Sequence, residues 1–284
     1  MKIVLTTFGS RGDVQPMLTL SLALKSAGHD VLLAAPPEKG EWARQLGCPF
    51  HPLGGNFTAF IDSMENAHSI HTALRFVRRV RYEILRQFKT LSQIISGADL
   101  VLASSLVFAL SSIAESMGIR YRYIAFAPQL LPSGHHPFIA LKHQNLPKWC
   151  NVMSWQIVKI FDRFFNLTRL INKKREQLGL PLLKDVWSHI LGDNVIVASD
   201  QAIAPVPPDV GRGFTQTGYL HLEQPKQHLA DLEAFLSHGP PPVYAGFGSM
   251  PKKDQVKNVP IIVRAARLAG QRVVIAKFWE GPSE

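Results

Sequence analysis

Several familiar chemistries lack their marks in this sequence. There are two cysteines, Cys48 and Cys150, with no Cys-x-x-Cys and no metal-ligand spacing. That pattern predicts two buried thiols and a reduced, cytoplasmic setting. No Asp-x-Asp occurs, which argues against holding a nucleoside diphosphate through a carboxylate-bound divalent metal. No apolar run reaches the length needed to cross a bilayer, and the chain enters its first strand pattern with only Lys2 ahead of it, unlike a signal peptide. Acidic residues are outnumbered, 21 against 31 Lys and Arg, giving a formal charge of +10. A basic excess favours an anionic partner: nucleic acid, an anionic membrane surface or a phosphorylated substrate. No zinc spacing or RNA-binding motif accompanies the charge, so nucleic acid is not expected.

What the chain does have is length and apolar content. Its 284 residues, 46% hydrophobic, suffice for one to two domains with a sizeable core. Strand and helix patterns alternate. Lys2–Thr7 reads as a strand, Met17–Ala27 as a helix stopped by Gly28, and Val31–Ala35 as a strand ended by Pro36-Pro37. Glu41–Leu46, Leu74–Ile95 and Val107–Ser116 read as helices. Pro49–Leu53, Leu100–Ala103, Tyr121–Phe126 and Asn194–Ala198 read as strands. This order implies a parallel sheet covered on both faces. Trp149–Leu178 reads as one long helix, and 127–147 as a long loop. From 240 a new unit begins: strand Pro242–Gly246, helix Gln255–Ala269 and strand Arg272–Ala276. One βαβ unit cannot bury its own sheet faces, so an incomplete second domain is expected.

The chemistry is expected between the first strand and first helix, at Gly9-Ser10-Arg11-Gly12-Asp13-Val14-Gln15-Pro16. Pro16 suits a first helical position, which places the Asp13 carboxylate just ahead of the helix. Gly9 and Gly12 lack the third glycine of a dinucleotide fingerprint, the second strand ends without an acidic residue, and no Gly-Lys-Ser/Thr follows. A capping carboxylate at a tight turn is the plain alternative. Gly246-Phe247-Gly248-Ser249-Met250 repeats the small-residue theme after the first strand of the second unit, either as a phosphate cradle or as an ordinary turn. His135-His136 form the one adjacent histidine pair in the long loop and are candidate acceptor contacts. Two basic amphipathic helices stand out. The first has the apolar stripe Val77, Val80, Ile84, Phe88, Leu91 and Ile95, and carries Arg75, Arg79, Arg86 and Lys89. The second has Trp155, Ile157 and Ile160, with Lys159, Arg163, Arg169, Lys173, Lys174 and Arg175. Each reads either as a solvated face over core or as a surface for anionic lipid.

The opening Lys2–Pro16 resembles the N-terminus of sterol glucosyltransferases and glycopeptide-antibiotic glycosyltransferases. So do Ala27-Gly28-His29-Asp30-Val31, Ala34-Ala35-Pro36-Pro37, Gly211–Tyr219 and Gly239–Met250. The resemblance implies a GT-B architecture, an α/β fold of two Rossmann-like domains. Here residues 1–213 are the acceptor-binding domain, 214–239 a linker and 240–284 the start of the donor-binding domain. The implied reaction is transfer of a hexose from a UDP- or dTDP-sugar to a hydroxyl of a lipid-like or polycyclic alcohol, inverting, with no metal or other cofactor. By resemblance Asp13 is the general base, Ser10, Arg11 and Gly12 meet the donor diphosphate from the first domain, and Gly248 and Ser249 do so from the second. Asp13→Ala is expected to abolish transfer with little change in melting temperature. The family's His-Gly-Gly-rich donor motif does not occur in these residues. An inactive acceptor- or membrane-binding fragment therefore stays open, as does a nucleotide-sugar epimerase on the same architecture. The expected setting is cytoplasmic, with peripheral contact at a membrane.

Overall fold

The computed structural model describes residues 1–62, 70–139, 141, 143–223, 230–248 and 252–276. The chain divides into two compact units: one of 1–57 and 66–222, the other of 58–65 and 223–284.

The first unit is built on a seven-stranded, wholly parallel sheet. In chain order its elements are β1 (Lys2–Phe8), α1 (Arg11–Ser26), β2 (Asp30–Ala35), α2 (Gly40–Gln45), β3 (Phe50–Pro52), α3 (Phe57–Asp62), α4 (Ile70–Ile94), β4 (Leu100–Ser105), α5 (Leu110–Ser116), β5 (Arg120–Ala125), α6 (Lys148–Phe165), α7 (Leu167–Gln177), α8 (Val186–Leu191), β6 (Asn194–Val197) and β7 (Gly213–Gln216). Helix α3 straddles the division between the units. The strands lie in the order β3-β2-β1-β4-β5-β6-β7. Residues 3–8 of β1 are buried throughout, the near-continuous apolar run that a central parallel strand needs. Val14, Met17 and Leu18 of α1 pack with Ile3, Leu5, Val31 and Leu33 of β1 and β2 in one core. The order reverses between β1 and β4, and in open parallel sheets ligands bind at the carboxyl ends of strands at such a reversal.

The structure corrects several expectations. Helix α1 starts at Arg11, not Met17, so Pro16 lies in its second turn and Asp13 inside the first. The long helix expected over 149–178 is two, α6 and α7, broken where Asn166 takes a left-handed backbone with φ 51°. Cys48 is buried, but Cys150 is only half-buried. The stretch expected as a linker holds most of β7 and a further helix, α9 (Ala230–Ser237). The second unit continues with β8 (Val243–Ala245), α10 (Lys252–Leu268) and β9 (Val273–Ile275). Its two strands pair in parallel, forming the βαβ unit read from the sequence.

Arg175, expected on a solvated basic face, is 1% exposed. Its guanidinium donates bidentately to Glu115 at 2.7 and 3.2 Å, and also to Ser112 Oγ and the Pro181 carbonyl. His189 Nε2 lies 3.2 Å from both Arg175 and Ser112. This network ties α7 and α8 to α5. Arg175 beside Glu115 holds that carboxyl below its usual range, against its partial burial. Burial, then Arg175, push the His189 imidazole below its usual range, against the pull of Glu115.

Two outcomes follow from this network. Glu115→Ala leaves the buried guanidinium with only neutral acceptors. The expected loss, read by urea denaturation, is about 2–3 kcal/mol; an unchanged midpoint would contradict it. Because the folded chain binds the His189 proton less readily than the unfolded chain, this contribution is present above about pH 6.5 and is lost as pH falls through the lower folded-state value. Unfolding free energy is therefore expected to fall from about pH 7 to pH 5, and to fall less in His189→Gln.

Candidate active site

The sheet reversal puts the loop after β1 beside the end of β4, where Phe8 and Ser105 stand in register. The helix that follows β1 brings Asp13 back toward that junction. Asp13 Oδ2 accepts the Ser10 N–H at 2.6 Å and the Ser10 hydroxyl at 3.0 Å. Asp13 Oδ1 accepts the Ser105 hydroxyl at 2.5 Å. The bond to the Ser10 N–H is the reach-back half of a capping box, since Ser10 is the N-cap of α1 and Asp13 its third residue. Asp13 is therefore both a helix cap and a carboxylate presented at the switch point. Gly9 makes this possible: an added Cβ would lie 2.2 Å from Asp13 Oδ2.

The end of β4 is held from several sides. Tyr123 of β5 donates its hydroxyl to the Ser105 carbonyl at 3.2 Å. Burial, then the Asp13 charge, push that phenol far above its usual range, which keeps it neutral. Gln87 of α4, 1% exposed, donates to the Leu106 carbonyl and accepts the Phe108 and Ala109 N–H groups. Ser105 itself has φ 53°, a left-handed backbone that costs a non-glycine residue on the order of 1–3 kcal/mol.

The other predicted residues fall as follows. Arg11, at the start of α1, lies with its guanidinium 5.4 Å from the Trp42 ring centre and donates to Gln15 at 3.1 Å. Its charge acts on buried Lys39, whose ammonium is pushed down first by burial and then by Arg11, against the pull of Glu38. Gly12 is exposed, and an added Cβ there would meet nothing nearer than 3.7 Å. Gly248, in the second unit, has φ 54° and open space where a Cβ would be. Ser249 lies outside the described residues.

His135 and His136 are not brought to Asp13. His135 is exposed, with its N–H on Ser133 Oγ. His136 packs edge-on against Trp155 at 5.9 Å. Asp209 fastens this loop by accepting from Ser133 Oγ at 2.6 Å and the Gly134 N–H at 2.8 Å, bonds that hold its carboxyl below the usual range. A cleft of about 270 Å³ in the same unit is lined by Pro132, Trp155, Trp187, Asp185, Arg212 and Val210, among others; Asp13 and Ser105 are not in its walls. Among the described residues no cluster of three or more His, Cys, Asp or Glu is placed to hold a metal ion. Nor is any described helix long and apolar enough to cross a membrane.

A parallel α/β sheet with a capped carboxylate at its reversal point defines a Rossmann-like domain with a candidate active site. Sequence comparison places it further. The Glycosyltransferase family 28 N-terminal domain matches residues 3–133. Two proteins of Amycolatopsis orientalis, Glycosyltransferase GtfE and vancomycin aglycone glucosyltransferase, are each 30% identical to the chain; both alignments cover 98% of this chain and 68% of the relative. Sterol 3-beta-glucosyltransferase UGT80B1 of Arabidopsis thaliana is 26% identical, with 99% of this chain and 48% of the relative covered. Among solved structures, the glycotransferase of kitacinnamycin superposes with a TM-score of 0.63 at 16% identity, over 99% of this chain and 68% of its own. Glycosyltransferase VinC, solved in complex with DTDP, gives 0.55 at 17% identity, over 98% and 72%. These structures share the GT-B fold. The chain belongs to the glycosyltransferase family that includes the glycopeptide and sterol glucosyltransferases.

Gly9→Ala tests the cap geometry. Its Cβ displaces the Asp13 carboxylate, and the melting temperature is expected to fall by several degrees, as for about 1–2 kcal/mol. Gly12→Ala, in open space near a helix start, is expected to leave it unchanged or slightly raised. Equal melting temperatures for the two variants would contradict the contact.

Proposed function

We propose that this glycosyltransferase moves a hexose from a UDP- or dTDP-sugar to a hydroxyl of a lipid-like or polycyclic alcohol, with inversion and without a metal. The observation that carries the reading is the Asp13 carboxylate at the β1–β4 reversal, fixed by Ser10 and Ser105. The acceptor hydroxyl gives its proton to Asp13 while its oxygen attacks the anomeric carbon from the face opposite the diphosphate. The bond from that carbon to the diphosphate oxygen breaks, and the nucleoside diphosphate leaves with the electron pair. Ser10, Arg11 and Gly12 stand at the N-terminus of α1, where N–H groups and the helix dipole favour an anion. Arg11 supplies the fixed positive charge for the leaving group. In the second unit, Gly248 and Ser249 are assigned to the donor. Support for the donor and acceptor classes comes from VinC, solved with DTDP, and from relatives named for a glycopeptide aglycone and for sterols.

The test is transfer from UDP- or dTDP-glucose to a sterol and to a glycopeptide aglycone, in the presence of a chelator. Asp13→Asn is expected to lower kcat by about 10²–10⁴-fold with the donor KM little changed. Full activity in that variant would remove the general base. The Asp13 hydrogen bonds also revise the expectation for Asp13→Ala, which is now expected to lose about 1–3 kcal/mol of stability as well as activity. Asn is therefore the better probe. If wild-type chain binds acceptor but transfers no sugar, the inactive-fragment reading holds instead.

One surface favours a lipid-like acceptor over a soluble one. Trp149, Val152, Met153 and Ile157 form an exposed apolar stripe along α6 at three- and four-residue spacing. Arg81 of α4 reaches the Asn166 carbonyl at the end of α6, and α4 exposes Arg75, Arg78 and Lys89. An apolar stripe with a tryptophan, in a unit that also exposes cations along α4, suits an anionic lipid surface. Not all of the basic face of α4 is free to serve it, since Arg79 and Arg86 pair with buried Glu83. Co-sedimentation with phosphatidylserine vesicles is expected at low salt, weakening at high salt and in the double variant Trp149→Ser, Met153→Ser. No sedimentation at low salt would overturn the surface.

A further inference from the structure

We infer that Ser105 is a positioning residue for sugar transfer: its hydroxyl fixes the Asp13 carboxylate so that Oδ1 is the oxygen that takes the acceptor's proton. The inference rests on the reading of Asp13 as the base.

The first observation is a count of lone pairs. Asp13 Oδ2 already accepts the Ser10 N–H and the Ser10 hydroxyl. Asp13 Oδ1 accepts the Ser105 hydroxyl and, among the described residues, nothing else. A carboxylate oxygen has about two acceptor sites. Both sites of Oδ2 are taken, and one site of Oδ1 stays open for an incoming hydroxyl. The Ser105 bond sets the direction in which that site faces.

The second observation is independent of the first. Ser105 stands where the backbone favours glycine, with φ 53°. The other described non-glycine residue with positive φ is Asn166, a type that tolerates this region better. The strained conformation is over-determined by its surroundings. Ser105 pairs with Phe8, its carbonyl accepts from Tyr123, and the next residues are clamped by Gln87. A glycine would fit with less strain but would leave Oδ1 without its donor. Strain kept in place by several neighbours, around a side chain with one polar contact to the candidate base, is the pattern of a pre-organised site.

The test compares Ser105→Gly with Ser105→Ala, alongside Asp13→Asn. Both Ser105 variants lose the hydroxyl. Glycine relieves the backbone strain and alanine retains it, so the glycine variant is expected to fold and to melt no lower than wild type. The expected result is that both lose kcat by about ten- to a hundredfold, with donor and acceptor KM little changed. The acid limb of the kcat/KM profile should move to higher pH in both, because the charged carboxylate has lost a donor. Around Asp13, buried Tyr123 of β5 stays neutral across this range, its phenol raised by burial and then by the Asp13 charge, and Arg11 stands two residues before Asp13 on the same helix. Wild-type kcat in Ser105→Gly would overturn the inference, and so would a slowed Ser105→Gly whose acid limb has not moved. If Asp13→Asn is fully active, the base assignment falls, and this inference with it. If Asp13→Asn is inactive while Ser105→Gly matches wild type, only the role of Ser105 is lost.

Discussion

The hydrogen bond from Ser105 to Asp13 spans the place where the sheet reverses its strand order, and the geometry of the candidate site depends on it. On one side of the bond stand β1, its short loop and the first turn of α1. On the other stands the end of β4, held by Tyr123 from β5 and by Gln87 from α4. Crossovers that leave β1 and β4 in opposite directions open a crevice between them. One carboxylate and one hydroxyl cross it. Gly9 belongs to the same constraint, since the carboxylate occupies the space its side chain would need.

Asp13 carries two loads. It satisfies the N-cap N–H of α1, which stabilises the helix start, and it is the group assigned to receive a proton. The two uses pull against each other. Every hydrogen bond that orients the carboxylate also occupies a lone pair that an incoming hydroxyl would need. The structure meets this by distributing its donors unevenly, two on Oδ2 and one on Oδ1. One oxygen serves the helix, and the other is the one proposed to take the acceptor's proton. Beside it, the N-terminus of α1 carries the positive end of the helix dipole, the potential that the proposed departing diphosphate needs.

Much of this was legible in the sequence because a parallel sheet writes itself as apolar runs. Lys2–Thr7 and Val31–Ala35 match β1 and β2 to within a residue, since both strands are buried on both faces. The start of α1 is hidden, because Pro16 fits a first helical position. It sits instead in the second turn, where the missing N–H leaves only the carbonyl of Gly12 without its helical donor. Asp13 is legible as a candidate from its loop and from resemblance. Ser105 is not, because a left-handed serine leaves no periodic trace, and Ser104-Ser105 reads merely as the end of a strand. The burial of Arg175 is hidden for a related reason. Periodicity assigns a charged residue to the outer face, and only tertiary contact reveals that Glu115 and His189 meet it inside. The break at Asn166 is likewise a single backbone angle within an otherwise helical pattern.

The most direct test is a crystal structure of the protein with a nucleoside diphosphate and an acceptor alcohol bound together. The account predicts the acceptor oxygen within about 2.6–3.2 Å of Asp13 Oδ1, with the Ser105 hydroxyl still on that oxygen and the diphosphate at the N-terminus of α1. An acceptor hydroxyl held by His136 or by another carboxylate, with Asp13 engaged only in capping its helix, would contradict it.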